Sequence, residues 1–275
     1  MTASNPVRRI AAILDAIASA RDGIALGELA AATGLPLSTT HRTVNILQDV
    51  GYISADPATR TLRIGARLQR VVLLSAGSRA IRKIIRPTLM ELADYFSETA
   101  YFAQMTNDGP QLSDYYLPTK GPRTLVHPGF DFPAHATAAG KAIYAFLPEE
   151  TVARALSGKL QRFTANTVVQ KAALRREFAQ VRERGYAVNS SELDEGVFAL
   201  AAPLLLDQHS VLGAIAITGV AERLTGRFSI EAIAERVLAA GREISAMMLN
   251  MDIGEHVASS PDLHRFDADR IAAGN

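Results

Sequence analysis

The chain has 275 residues, 48% apolar and 21% charged, with a formal net charge of +1. That length and balance predict two globular domains with real cores, and exclude a disordered chain or a coiled-coil rod. Cysteine is absent, which excludes a disulfide framework, a thiolate metal site and a cysteine nucleophile together.

The net charge hides an asymmetry. Residues 1–86 carry twelve Arg and Lys against five acids, a net +7, whereas the remainder is −6. A basic front joined to an acidic back predicts a polyanion partner at one end and a different task at the other.

Arg8-Arg9 followed by Ile10–Ala18 imitates a twin-Arg secretory signal. Asp15 interrupts the would-be apolar core, which a signal avoids. Ile10, Ile13, Leu14 and Ile17 instead recur at the period of one helix face, so a globular first helix is expected over Val7–Ala20. The longest apolar runs, Val197–Leu206 and Val211–Val220, are too short to span a bilayer. A cytoplasmic location without membrane contact is the expectation.

A second short helix, Leu26–Thr33, is stopped by Gly34. Pro36 opens a third helix that runs to Val50 and is closed by Gly51. Two short strands follow, Tyr52–Ala55 and Thr61–Ile64, joined by a turn at Asp56–Arg60. On a wheel of 100° per residue with Ser38 at zero, Thr40, Val44 and Leu47 fall at about 200°, 240° and 180°, the buried stripe. Ser38, Arg42, Asn45 and His41 fall on the opposite side, with Thr39 nearby. Arg can take guanine bidentately and Asn can take adenine. A polar helix face after a tight glycine turn fits the major-groove helix of a helix-turn-helix. Arg60 and Arg63, at the hairpin, would meet the flanking phosphates. A polar face is more often merely wetted; the turn, the hairpin and the charge together favour double-stranded DNA.

Residues 66–86 read as a helix with a stripe of Leu68, Val71, Val72, Ile81, Ile84 and Ile85, predicted to pack against a second chain. Pro87 is expected to interrupt it. The chain then divides into a winged helix-turn-helix at 1–65, a linker and dimerisation helix at 66–86, a back domain at 87–251 and a tail at 252–275. The tail lacks any period and is expected to be disordered. The back domain mixes helices (88–96, 138–147, 149–157, 171–184, 229–250) with strands (99–105, 112–117, 186–190, 197–206, 211–218), without βαβ regularity. Residues 118–136 read as a loop. The fold class is therefore α+β in two domains.

The resemblance to a known family rests on long stretches of the chain. Val7-Arg8-Arg9-Ile10, Leu26-Gly27-Glu28-Leu29-Ala30, Thr33–Arg42 and Gly51-Tyr52 resemble the winged helix-turn-helix of IclR-family transcriptional regulators. Arg86-Pro87, Pro133–Ala142, Gly185–Val188, Glu192, Gly196-Val197 and Ala201-Ala202-Pro203 resemble that family's effector domain. The match covers residues 7–250 in the expected order. It implies a curved antiparallel sheet of the GAF or profilin kind, operator DNA as partner, and dimers pairing into tetramers; no metal or cofactor is expected.

Thr137 can cap a helix beginning at Ala138, leaving the N–H groups of Ala138, Ala139 and Gly140 to meet a carboxylate. The resemblance places a small-molecule pocket between this helix and the sheet, lined by Asn189, Ala199, Ala216 and Thr218. Relatives often carry an acid, Cys and Ser at the first three positions. Asn, Ala and Ala here predict a less polar effector: a carboxylate with an aromatic or medium aliphatic body.

Weaker candidates complete the sequence. Lys141 lacks the rest of a P-loop and reads as an ion-pair partner. Glu192, Asp194, Glu195, His127 and His135 lack metal-ligand spacing. Ser190-Ser191 lacks a nucleophile elbow. No catalytic constellation emerges, so an enzyme is not expected. The alternative is a metabolite-binding protein or enzyme whose basic front binds another protein.

Overall fold

The computed structural model describes residues 5–20, 22–75, 77–119, 130, 132–206 and 210–249. The expected disordered tail, most of the 118–136 loop and His127 lie outside the described residues.

The front of the chain folds as helix α1 (Pro6–Ser19), α2 (Leu26–Thr33) and α3 (Leu37–Asp49), then strands β1 (Ile53–Ala55) and β2 (Leu62–Ile64). Asn5 starts α1 by accepting from the Val7 N–H at 2.8 Å. Glu28 holds the start of α2 by accepting from the Ala25 N–H at 3.1 Å. Gly34 ends α2 with φ 65°, a left-handed conformation that costs glycine little. Pro36 lies just before α3 rather than in its first turn. Ile13 and Ile17 from α1, Leu29 from α2, Val44 and Leu47 from α3, and Ile53 and Leu62 from the hairpin bury one another. The pair β1–β2 is antiparallel, and an added bridge between Ile24 and Leu62 ties the hairpin to the α1–α2 turn.

Helix α4 (Ala66–Ser75) and helix α5 (Gly77–Phe96) follow. Pro87 lies inside α5 and does not end it, contrary to the sequence expectation. The reason is the stripe Ile81, Ile85, Leu89, Leu92 and Phe96, which runs through the proline and is wholly buried. Each such side chain contributes about 1.5–3 kcal/mol, so together they exceed the ~3 kcal/mol cost of an interior proline. Pro87 and Lys83 lie on the exposed side, where the unpaired Lys83 carbonyl can meet water. The same packing corrects part of a second expectation: Ile81 and Ile85 are wholly buried in the core of their own chain, with Ile84 half-buried at its edge.

The remaining strands are β3 (Thr99–Thr106), β4 (Gly109–Tyr116), β5 (Ala187–Ser190), β6 (Val197–Leu205) and β7 (Val211–Val220). They form one antiparallel sheet in the order β4-β3-β7-β6-β5. Helices α6 (Ala138–Tyr144), α7 (Glu149–Ala155), α8 (Lys171–Arg184), α9 (Ala221–Thr225) and α10 (Ile230–Leu249) complete the domain. The short α9 was not visible in the sequence pattern.

Both faces of the sheet are covered, and the two faces differ in bulk. Phe102, Phe198, Leu200, Ile215 and Ile217 point toward α5 and α10. Ala103, Ala199, Ala201, Ala214 and Ala216 alternate with them and point toward α6 and α8. Period-2 alternation sends successive side chains to opposite faces. The alanine face therefore lets the small residues of α6 lie close to the strands.

Candidate functional site

The third helix presents two sides of opposite character. Thr40, Val44 and Leu47 are buried, as the wheel predicts. Ser38, His41, Arg42 and Asn45 are exposed, and Thr39 is half-buried at the edge of the same face. Among the described residues, none of the four exposed side chains forms a hydrogen bond or ion pair. Their donors and acceptors are free for a ligand. The first turn of α3 carries no side-chain cap, so its N–H groups also face outward.

At the hairpin, Asp56 accepts from the Ala58 and Thr59 N–H groups, both at 2.9 Å. Those two N–H groups, Thr59 first, hold its carboxyl below the usual value. This Asx turn delivers Arg60 at φ 58°, exposed at the tip. Arg63 is exposed but donates to the Asp22 carbonyl at 3.1 Å, bracing the hairpin against the α1–α2 turn.

The residues expected around an effector converge under α6. Asn189 pairs with Ala199, Ala199 with Thr218, and Thr218 with Thr99 across the sheet. The adjacent row on that face runs Ala187, Ala201, Ala216, Tyr101. Ala138, Ala139, Ala199 and Ala216 belong to one buried cluster.

The polar atoms there are more engaged than the sequence implies. Thr137 caps α6, but it does so by accepting from the Gly140 N–H at 3.0 Å. The expected triplet of free N–H groups is thus reduced to Ala138 and Ala139, because a cap satisfies the third-residue donor. Asn189 donates to the Ala136 carbonyl at 2.7 Å and accepts from the Glu192 N–H at 3.0 Å. Thr218 donates to the Phe198 carbonyl at 3.2 Å.

Sequence reasoning missed Tyr101 and Phe132. Their rings stack at 5.5 Å, inclined by 22°, and both belong to the α6-facing cluster. The Tyr101 side chain is 4% exposed. Burial pushes its pKa above the usual phenol value. The alternation of Ala100-Tyr101-Phe102-Ala103 could have placed Tyr101 on the alanine face, but only with the strand register in hand.

Lys141 proves to be an ion-pair partner. Its ammonium, wholly buried, donates to Glu177 Oε1 at 2.8 Å, Glu192 Oε1 at 2.6 Å and the Val188 carbonyl at 3.2 Å. Burial raises the Glu192 pKa against the pull of Lys141. Glu192 is therefore committed to Lys141, Asp194 and Glu195 are exposed, and His135 contacts the Gln161 carbonyl at 2.8 Å. Among the described residues no three His, Asp or Glu side chains come together as a metal site. Nor is any described helix long and apolar enough to cross a membrane.

A winged helix with a free polar recognition face, joined to an α+β domain with an alanine-lined sheet, defines a two-domain transcriptional regulator. The family models agree. Residues 6–57 match the IclR helix-turn-helix domain, and residues 74–246 match the bacterial transcriptional regulator IclR C-terminal domain. The chain is 33% identical to the transcriptional repressor IclR of Escherichia coli strain K12 over 239 residues, covering 83% of this chain and 87% of that protein. It superposes on an IclR transcriptional regulator from Silicibacter sp. TM1040 with a TM-score of 0.60, at 24% identity, covering 89% and 96% of the two chains. An IclR homologue from Microbacterium hydrocarbonoxydans, solved with 4-hydroxybenzoate, superposes with a TM-score of 0.55 at 21% identity, covering 88% and 98%. The chain belongs to the IclR family of DNA-binding transcriptional regulators; its named relatives are regulators and repressors, not enzymes.

Proposed function

We propose that this regulator reads a two-fold operator as a dimer or a dimer of dimers in the cytoplasm, and that a small carboxylate bound under α6 alters its grip on DNA. Ser38, Thr39, His41, Arg42 and Asn45 contact the duplex in the major groove, and Arg60 and Arg63 meet its flanking phosphates. The reader occupies residues 1–65, residues 66–86 join it to the sensor, and the sensor occupies 87–251.

The effector is a carboxylate with an aromatic body. Ala138 and Ala139 offer N–H groups at the positive end of α6, while Asn189, Ala199, Ala216, Thr218 and Gly140 shape the walls. The single observation that carries this reading is the stack of the buried Tyr101 ring on Phe132, one row from Thr218 on the alanine-lined face. An aromatic pair at the wall favours a ligand with its own ring, and the Tyr101 hydroxyl can donate to a ligand oxygen. The relative solved with 4-hydroxybenzoate supports the same class of ligand. Only a difference in effector affinity between the DNA-competent and DNA-incompetent arrangements can shift their ratio.

Isothermal titration of the full chain with benzoate, 4-hydroxybenzoate and pyruvate tests the sensor. Binding of an aromatic acid is expected, weakened several-fold by Tyr101→Phe and removed by Ala216→Leu. Binding of pyruvate alone would overturn the aromatic assignment. Failure to bind any duplex selected from a random-sequence pool would favour a protein-binding front instead.

A further inference from the structure

A cavity of about 530 Å³ opens between the first turns of α1 and the flank of α3, beside the recognition face. Its polar wall is Arg9, Arg42, Ser38, Thr39 and Thr43, and none of the residues around it is acidic. Arg9 occupies an unusual place. It lies four residues before Ile13 and eight before Ile17, on the stripe that α1 buries. An apolar residue is the ordinary occupant of such a position. The Arg9 Nε is buried and has no hydrogen-bond partner. Its stem thus extends the core while its head ends in the cavity.

Other features of the cavity share this polarity. Pro6 on its rim is the first residue of α1, and Ser38 and Thr39 lie in the uncapped first turn of α3. Two positive helix ends, two guanidinium groups and three hydroxyls therefore surround one space without a countercharge. An isolated Arg on a wetted surface would not bury its Nε beside a donor-lined cleft.

We infer that Arg9, with the hydroxyls of Ser38 and Thr39 beside it, forms a phosphate-binding cleft that seats one backbone phosphodiester of the bound duplex in each half-site and leaves Arg42, on its rim, to the bases. The inference rests on the DNA-reading role of α3 and adds a contact from α1. A guanidinium presents paired donors that fit two phosphate oxygens. The contact carries no sequence information; it sets how the recognition helix sits in the groove. Arg9 is thus a positioning residue, distinct from the base-reading side chains.

The test uses the full chain with two probes: a duplex enriched by the wild type from a random-sequence pool, and a scrambled duplex of equal length. Arg9→Met keeps the packed stem and removes the charge. It should weaken both duplexes by a similar factor, on the order of tenfold near physiological salt. The slope of log affinity against log salt should fall in magnitude by about 0.9 per half-site. Arg9→Lys should restore much of the slope and less of the affinity. An unchanged slope and affinity in Arg9→Met, with its thermal midpoint preserved, would overturn the contact while leaving α3 as the reader. Loss confined to the enriched duplex would overturn it too, by making Arg9 a base reader. Stabilisation of the DNA-free protein by inorganic phosphate, with no change of slope in Arg9→Met, would assign the cleft to a free anion and overturn the duplex contact.

Discussion

Asn189 and Ala136 are joined by a buried hydrogen bond, Nδ2 to carbonyl oxygen at 2.7 Å, across 53 residues of sequence. The other end of the same carboxamide holds the Glu192 N–H. One side chain therefore ties β5 to both the segment that starts α6 and the loop after β5.

Asn189→Asp replaces the donor by an acceptor facing the Ala136 carbonyl. The variant should lose about 1–3 kcal/mol, the usual cost of an unmet buried polar group. Chemical denaturation at neutral pH measures it. A variant as stable as the wild type would show that Asn189 does not bind that loop in solution.

Lys141 is wholly buried between Glu177 and Glu192. Lys141→Met would leave both carboxylates facing apolar surroundings, at a cost of about 3–5 kcal/mol. Adding Glu192→Gln should recover part of that loss, because the two changes share one interaction. Strict additivity of the two losses would contradict the pairing.

The same carboxyl predicts a pH dependence. Burial raises Glu192 above its ordinary value of 4.5. Just above that pH the unfolded chain has released a proton that the folded chain keeps. The stabilisation from this group is complete below the unfolded value and is lost as pH rises through the folded one. Glu192→Gln has no such proton, so the wild-type thermal midpoint should fall relative to the variant as pH rises above 4.5. A relative rise over that window would mean that Lys141, not burial, dominates.

Gly140 has no room for a side chain. A Cβ there would lie 2.5 Å from the Pro133 carbonyl oxygen and 2.6 Å from Thr137 Oγ1. Gly140→Ala must therefore shift the start of α6 or break its cap, with a loss of about 1–3 kcal/mol. Benzoate binding should weaken with it, whereas affinity for the scrambled duplex should be unaffected. Unaltered stability and binding would show that the loop at 132–133 yields freely.

Arg42 is exposed and unpaired on the recognition face. Arg42→Ala should leave the thermal midpoint within a degree or so and cost about 1–3 kcal/mol of binding to the enriched duplex. The selected sequence should relax at one base pair. Equal loss on the scrambled duplex would instead make Arg42 a phosphate contact.

The front domain is largely written in local pattern. Thr40, Val44 and Leu47 are buried where a wheel places them, and Gly34 turns the chain where its missing Cβ permits φ 65°. Helix stripes and turn residues depend on neighbours within a few positions, so one dimension of sequence suffices to read them. The same holds for the Thr137 cap, although the N–H it takes is that of Gly140, one of the three the local pattern leaves free.

The amino-acid order alone determined the winged helix, its polar reading face, the charge asymmetry and the α+β character of the sensor, because each arises from spacing along one element. Tertiary structure decided the rest. Strand register set Tyr101 beside Ala216, and a continuous buried stripe carried α5 through Pro87. Three distant elements closed around Lys141, and the approach of α1 to α3 left Arg9 facing a cleft. These outcomes depend on contacts between residues remote in sequence, whose burial outweighs local preference and has no period to betray it.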